Sequence, residues 1–377
     1  MKTNNRSLPV HPHMKPLFTP MTLGKLTLPN RIVMAPMTRG FSPGGIPGMD
    51  VAQYYRRRAE NGVGLIITEG TVIDHPSSAD NPNVPHFFGS ALEGWSVVVE
   101  QVHAAGGLIF PQLWHVGMAR AVGALPNPES LPIGPSGIDL NGNQITAPMS
   151  ESDIASIINA FSQAAANAKE LGFDGIEIHA AHGYLIDQFF WERTNQRSDR
   201  YSGNSLEGRT QFAAEIIHSV RNAVGPDFPI ALRISQWKMS DYSAKLAETP
   251  EQLASFLEPL TSAGVDIYHC STRRFWEPEY EGSELNFAGW VKKLTGKPTI
   301  TVGSVGLDDE FLNSFAPGHV AKVTSLDGLI AKLEQGEFDL AAVGRSLLAD
   351  PEWVVKVHDG KLEEIKPFTA EALGKLY

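Results

Sequence analysis

Gly175-Ile176-Glu177-Ile178-His179 lies between an Ala-rich stretch at 152–171 and the amphipathic stretch Leu206–Val224. A short apolar run between two segments with helical spacing reads as a buried strand between two helices. The same unit recurs along the chain. Apolar runs stand at Ile32–Thr38, Leu65–Val72, Leu108–Trp114, Pro229–Ile234, Val265–Cys270, Thr299–Val302 and Leu340–Val343, which makes eight with the first. Several are continuously apolar rather than alternating, as in parallel strands covered on both faces.

The intervening segments read mostly as helices. Trp95, Val98, Val99 and Val102 share a face within Ala91–Ala105, and Pro250–Ala263 behaves likewise. Ser150-Glu151-Ser152-Asp153 supplies a capping region for the helix that follows. Gly106-Gly107, Gly172 and Gly264 sit just past helix ends, where left-handed caps are expected. Eight strands alternating with helices predict an α/β fold, a closed (β/α)8 TIM barrel. A doubly wound open sheet is the alternative. With no linker or repeat in view, residues 1–377 read as one domain, with a core from about 17 to 355. Thr22–Leu28 looks like an N-terminal hairpin plugging the barrel bottom. Met118–Met149, rich in Gly, Pro and Asn, reads as a βα insertion after strand 3 on the catalytic face.

Composition narrows the function. Of 377 residues, 42% are hydrophobic, enough for a sizeable core. The net charge of −11 argues against nucleic acid and anionic membrane surfaces as partners. A single cysteine, Cys270, excludes an intrachain disulfide and a protein-ligated iron–sulfur cluster. No apolar stretch reaches the ~20 residues that span a bilayer. Met1–His13 is polar and lacks an apolar signal core, so a cytoplasmic location is expected.

In a barrel the chemistry belongs at the C-terminal ends of the strands. Those ends carry Pro36-Met37-Thr38, Glu69-Gly70, Gln112, His179 to Tyr184, Arg233, Gly303-Ser304 and Gly344-Arg345. Glycine followed by Ser or Arg at the last two ends suits a phosphate, because the backbone can approach it and Arg345 adds a charge-assisted bond. A phosphorylated ligand with polar groups converging on its other end is the expectation from these residues alone.

The same residues carry a resemblance. Leu17-Phe18-Thr19-Pro20, Pro29 through Arg39, Gly64 through Gly70 and Pro111 through Gly117 are similar to the old yellow enzyme family of FMN-dependent enoate reductases. The most specific piece is Gly175 through Leu185 with Gln188-Phe189, and Val302-Gly303-Ser304 and Val343-Gly344-Arg345 close the match. The resemblance implies bound FMN, with NAD(P)H as a transient reductant and a small-molecule substrate. It implies that Ala35, Pro36, Met37, Thr38 and Gly70 lie beside the flavin. Thr38 would tune the flavin, Gln112 would bind its pyrimidine edge and Arg233 would stabilise its anionic reduced form. Gly303, Gly344 and Arg345 would hold the phosphate. His179 and His182 would donate hydrogen bonds to a substrate carbonyl or nitro oxygen, and Tyr184 would supply the proton. Trp276 and Trp353 are further substrate-pocket candidates. Several positions depart from the family pattern: His182 stands where many members have Asn, Asp187 replaces a common Asn, Met118 replaces a more usual polar residue, Trp191-Glu192-Arg193 is unusual, and Ser202 and Gly208 are minor changes.

Blander readings exist for each residue. His179-x-x-His182 could be half of a metal site, but no third ligand follows, so no metal is expected. Tyr184 and the two tryptophans could simply pack. Cys270 reads as a buried small hydrophobe. A non-redox barrel enzyme acting on sugar phosphates is a competing function, but such enzymes commonly need a lysine or a carboxylate pair, and no strand end carries a lysine. A non-catalytic flavin-binding barrel is a second competitor, which loss of Tyr184 or the histidines would have favoured. Oligomeric state is left open.

Overall fold

The computed structural model describes residues 9–309, 313 and 318–377; Met1–Leu8, part of the polar N-terminal stretch read above, lie outside it. Twelve strands occur among the described residues: β1 (Met21–Leu23), β2 (Leu26–Leu28), β3 (Ile32–Met34), β4 (Leu65–Val72), β5 (Ile109–Trp114), β6 (Ile176–His182), β7 (Ile230–Lys238), β8 (Ile267–Ser271), β9 (Thr299–Val302), β10 (Val320–Ala321), β11 (Leu340–Val343) and β12 (Phe368–Thr369). Eight close a barrel in the order β11-β3-β4-β5-β6-β7-β8-β9. Every neighbouring pair in it is parallel. All eight apolar runs are barrel strands, and the open sheet is excluded.

The helices α1 (Met49–Glu60), α2 (Ala91–Ala104), α3 (Glu151–Glu170), α4 (Leu185–Phe190), α5 (Leu206–Val224), α6 (Pro250–Ala263), α7 (Phe287–Thr295), α8 (Asp327–Glu334), α9 (Arg345–Ala349) and α10 (Trp353–Asp359) follow in chain order. Ser150 caps α3 in a reciprocal box with Asp153, as its position suggests. Thr249 and Asn286 cap α6 and α7 in the simpler one-way form.

Alternation along the strands sorts the barrel lumen into two layers. Val33, Leu65, Phe110, Ala231, Ile267, Ile300 and Leu340 form an apolar cluster with Leu23 and Leu28 of the antiparallel β1–β2 hairpin. The hairpin therefore plugs the bottom. Gly175 makes room there, since a Cβ on it would meet the Phe110 ring at 2.5 Å. Two residues further along β5, β7 and β8 stand Gln112, Arg233 and His269, all buried. The period of two that fills the bottom with hydrocarbon thus fills the top with polar side chains.

Strand ends depart from the sequence reading at three places. β3 stops at Met34, and Ala35–Thr38 leave the barrel without strand pairing of their own, although Ala35 N–H still donates to Val343 O (3.0 Å). β6 and β7 run further than their apolar cores, to His182 and Lys238, with a register shift between Ala180 and His182. The 118–149 insertion emerges on the C-terminal face, where Leu140 accepts from Arg193 (3.4 Å) and Ser240 (3.4 Å).

Candidate active site

A cavity of about 650 Å³ opens at the C-terminal end of the barrel, within the range of small-molecule sites. Ala35, Pro36, Met37, Thr38, Gly70, Gln112, His179, His182, Tyr184, Arg233, Gly303, Gly344 and Arg345 all line it. Residues as far apart in the chain as Ala35 and Arg345 meet there because every strand ends at the same rim.

At the cavity floor, a buried carboxylate organises the polar layer. Glu177 Oε1 accepts from Gln112 Nε2 (2.8 Å), and its Oε2 lies 2.6 Å from His269 Nδ1. Gln112 is thereby held with one amide edge on Glu177. Beside them Arg233 is buried, and its Nε has no hydrogen-bond partner among the described residues. Burial lowers the Arg233 pKa from its ordinary value, while Glu177 and Tyr184 oppose that shift. A buried guanidinium facing a cavity is complete only when an acceptor enters. Glu177 and His269 were not singled out in the sequence; the available signal was a charged residue inside the apolar run Ile176–Ile178.

One wall is aromatic. The His179 and Trp114 rings stack with centroids 6.0 Å apart, and Tyr184 meets both edge-on, at 4.8 Å from Trp114 and 5.0 Å from His179. His182 stacks on Trp237 at 4.4 Å, and Trp237 on Tyr242 at 5.3 Å. Trp237, Met239 and Tyr242 also line the cavity. β7 outruns its apolar core and carries Trp237 to the rim, and the segment just after it brings in Met239 and Tyr242, so local apolar pattern did not mark them. His179 Nδ1 accepts the Ala181 N–H (3.3 Å), which assigns the ring proton to Nε2. His182 Nε2 pairs with Ser271 Oγ (2.8 Å). Burial, with the charge of Arg233, holds both imidazoles well below their ordinary pKa, so both are neutral at pH 7. The Tyr184 hydroxyl donates to Met239 Sδ (3.3 Å). Burial and then Asp80 push its pKa up to about 12, so it is a protonated donor throughout the physiological range.

The opposite end is backbone-rich. Gly303 has φ 152°, and a Cβ there would meet Thr272 O at 2.7 Å. A Cβ on Gly344 would meet Met37 Sδ at 3.3 Å. Arg345 Nη2 donates to Ser304 Oγ (3.2 Å) and to Asp309 O (2.6 Å). Two glycines that keep the wall open, with an arginine beside them, fit a phosphate. Together with the Arg233 Nε at the floor, which has no partner among the described residues, the residues present fit FMN.

Two expectations are corrected. Trp276 is 42% exposed, packs edge-on against Phe275 and is absent from the cavity lining. Trp353 is buried in α10 near Gly306, also outside the lining. Arg273, in the loop after β8, does line the cavity. His115 is a buried structural residue whose Nδ1 accepts the Gly117 N–H (3.0 Å). Among the described residues, no group of three His, Cys, Asp or Glu is placed to hold a metal.

Comparisons with known proteins agree with the barrel fold. The sequence model of the NADH:flavin oxidoreductase / NADH oxidase family matches residues 16–364. The NADH oxidase of Thermoanaerobacter brockii is 34% identical over 366 residues, 94% of this chain and 52% of that protein. The chain therefore spans about half the length of that longer relative. The 12-oxophytodienoate reductase 2 of Arabidopsis thaliana is 33% identical over 356 residues, 89% of this chain and 87% of that one. Among solved structures, morphinone reductase superimposes with a TM-score of 0.73 at 29% identity, over 90% of this chain and 88% of that one. Its complex with tetrahydroNAD gives a TM-score of 0.75 over 92% of this chain and 91% of that one.

Proposed function

Because the chain belongs to the NADH:flavin oxidoreductase / NADH oxidase family, the old yellow enzyme family of FMN-dependent oxidoreductases, we propose that it reduces the activated C=C bond of α,β-unsaturated carbonyl or nitro compounds with NAD(P)H. The observation that carries this reading is the convergence of His179, His182 and Tyr184 on one cavity that also holds Arg233 and Arg345.

FMN, when bound, supplies hydride transfer between the nicotinamide and the alkene. Ala35, Pro36, Met37, Thr38, Gly70, Gln112 and Arg233 would hold its ring system, and Gly303, Gly344 and Arg345 its phosphate. Reduction of the alkene builds negative charge on the carbonyl or nitro oxygen. Neutral His179 and His182 donate N–H groups to that oxygen, and the buried setting strengthens those bonds. Tyr184 delivers the proton to the α-carbon. Its raised pKa keeps the phenol protonated, and its contacts with Trp114 and His179 hold the ring against the two donors. Trp114, Trp237 and Tyr242 exclude water from the reacting end.

No helix among the described residues is long and apolar enough to cross a membrane. The one cysteine, Cys270, is buried, which suits the reducing cytoplasm as the working compartment. A single-domain enzyme taking small molecules, and not nucleic acid, is the accompanying reading.

Two measurements test the activity. The purified protein should be yellow and release FMN on denaturation. After anaerobic reduction by NADH or NADPH, a cyclic enone should reoxidise it with recovery of the saturated ketone. A colourless protein that gains no flavin absorption when incubated with FMN would sink the reading, as would a reduced enzyme that an enone cannot reoxidise.

A further inference from the structure

Behind the aromatic wall lies an ion pair that touches no ligand space. Lys238 Nζ and Asp187 Oδ1 are 2.6 Å apart, and both side chains are fully buried. The second Asp187 oxygen, Oδ2, accepts the Gly183 N–H (2.7 Å). Gly183 O accepts from Gln188 Nε2 (2.7 Å). Both polar groups of the Gly183 residue are therefore held by side chains of α4. That residue joins His182 to Tyr184, and the turn is not one the backbone adopts freely. His182 has φ 65° and Gly183 φ 87°, two successive left-handed residues, the first of them not glycine. Lys238 stands opposite His182 in the β6–β7 ladder, just beyond the register shift. The next residue, Met239, donates its N–H to His182 O (3.2 Å) and meets the Tyr184 hydroxyl through its sulfur.

We propose that Lys238 and Asp187 are positioning residues for the proton-donating turn: the ion pair keeps Asp187 ionised and oriented on the Gly183 N–H, and so fixes His182 and Tyr184 relative to the cavity. The proposal rests on the reading of His182 and Tyr184 given above. A carboxylate with no counter-charge at this depth would take up a proton and lose acceptor capacity on one oxygen. Lys238 prevents that while its aliphatic stem fills the core. An asparagine side chain at this position could accept the same N–H without a cation, but it would leave Lys238 buried and unpaired. The lysine and the carboxylate therefore go together.

The test compares wild type, Lys238→Met and the double variant Asp187→Asn/Lys238→Met, all as FMN-loaded protein. In Lys238→Met the rate of flavin reduction by NAD(P)H should stay within twofold. The limiting rate of reoxidation by an enone should fall tenfold or more, and the Kd for a phenol read from its long-wavelength absorption band should rise tenfold. Backbone hydrogen exchange over residues 181–186 should quicken while peptides from β4 and β5 keep their rates. The double variant should recover phenol affinity and enone rate to within about threefold of wild type, because the introduced amide oxygen accepts the Gly183 N–H with no lysine to neutralise. Unchanged exchange, phenol affinity and enone rate in Lys238→Met would overturn the proposal. So would a double variant that is as impaired as the single one or fails to fold, since the role would then not run through Asp187. If the wild type itself shows neither phenol binding nor enone reoxidation, the functional reading of the site fails; the exchange rates still report whether the pair holds the turn.

Discussion

His182 Nε2 and Ser271 Oγ lie 2.8 Å apart, so one of the two imidazoles at the cavity is tied to β8 while the other is oriented within its own strand. The hydroxyl can donate or accept, and its choice sets which His182 nitrogen carries the proton. Ser271→Ala should weaken phenol binding about 2- to 10-fold, the range for loss of one neutral hydrogen bond. Replacing both His179 and His182 by Ala should abolish the phenol band while FMN stays bound. A band of undiminished strength in the double variant would remove the histidines from the ligand site.

Tyr184→Phe separates proton delivery from everything else. The change removes a hydroxyl and keeps the ring between Trp114 and His179. Stopped-flow traces should show flavin reduction by NAD(P)H nearly unchanged and reoxidation by an enone slowed by the ~10²–10⁴ typical of a lost general acid. With a phenol pKa of about 12, ionisation of Tyr184 should take nothing from the wild-type enone rate between pH 6 and pH 9 on the scale of one-unit steps. Equal slowing of both half-reactions, or of neither, would take Tyr184 out of the mechanism.

Arg345 is placed to matter for retention of the cofactor more than for the chemistry. Arg345→Ala removes the cation beside Ser304 at the glycine-rich end and leaves Gln112, Arg233 and the histidines at the other. The variant should lose FMN on gel filtration and regain it in excess FMN. The fraction that carries flavin should turn over within a few-fold of wild type. Full FMN retention would move the phosphate elsewhere.

Glu69 links stability to pH. Its carboxylate is buried beside the cavity-lining Gly70, and Oε2 accepts from the Arg39 and Gly40 N–H groups (2.8 and 3.1 Å). Burial raises its pKa to about 7 from an ordinary 4.5, the two N–H bonds opposing that rise. The unfolded chain loses this proton first. Stability from the protonated form is therefore complete below pH 4.5 and disappears as pH rises through about 7, an effect of at most roughly 3 kcal/mol. Glu69→Gln mimics the protonated acid. Its Tm should match wild type at pH 4.5 and exceed it by about 2–4 °C at pH 8.5. A variant that gains nothing at high pH would show that burial does not raise the Glu69 pKa in the folded protein.

Local pattern was enough to read the number and order of the barrel strands, the plug hairpin and the capped helices. Apolar spacing reports which face of an element is buried, and strand ends report where a barrel collects its chemistry. Position at a C-terminal strand end was enough to place most of the cavity-lining candidates at the rim, and the family resemblance supplied their roles. What stands opposite what was decided by closure of the barrel. Glu177 meets His269 across 92 positions and Lys238 meets Asp187 across 51. Neither pairing leaves a local signal, because register between strands is settled by the packing of the whole ring. The same cause explains the errors. Trp276 and Trp353 are aromatic and near the right loops, but only the path of the chain after β8 and β11 turns one to solvent and the other into the core. Trp237 enters the site for the converse reason: β7 continues past its apolar core, held by pairing with β6 that no reading of β7 alone contains.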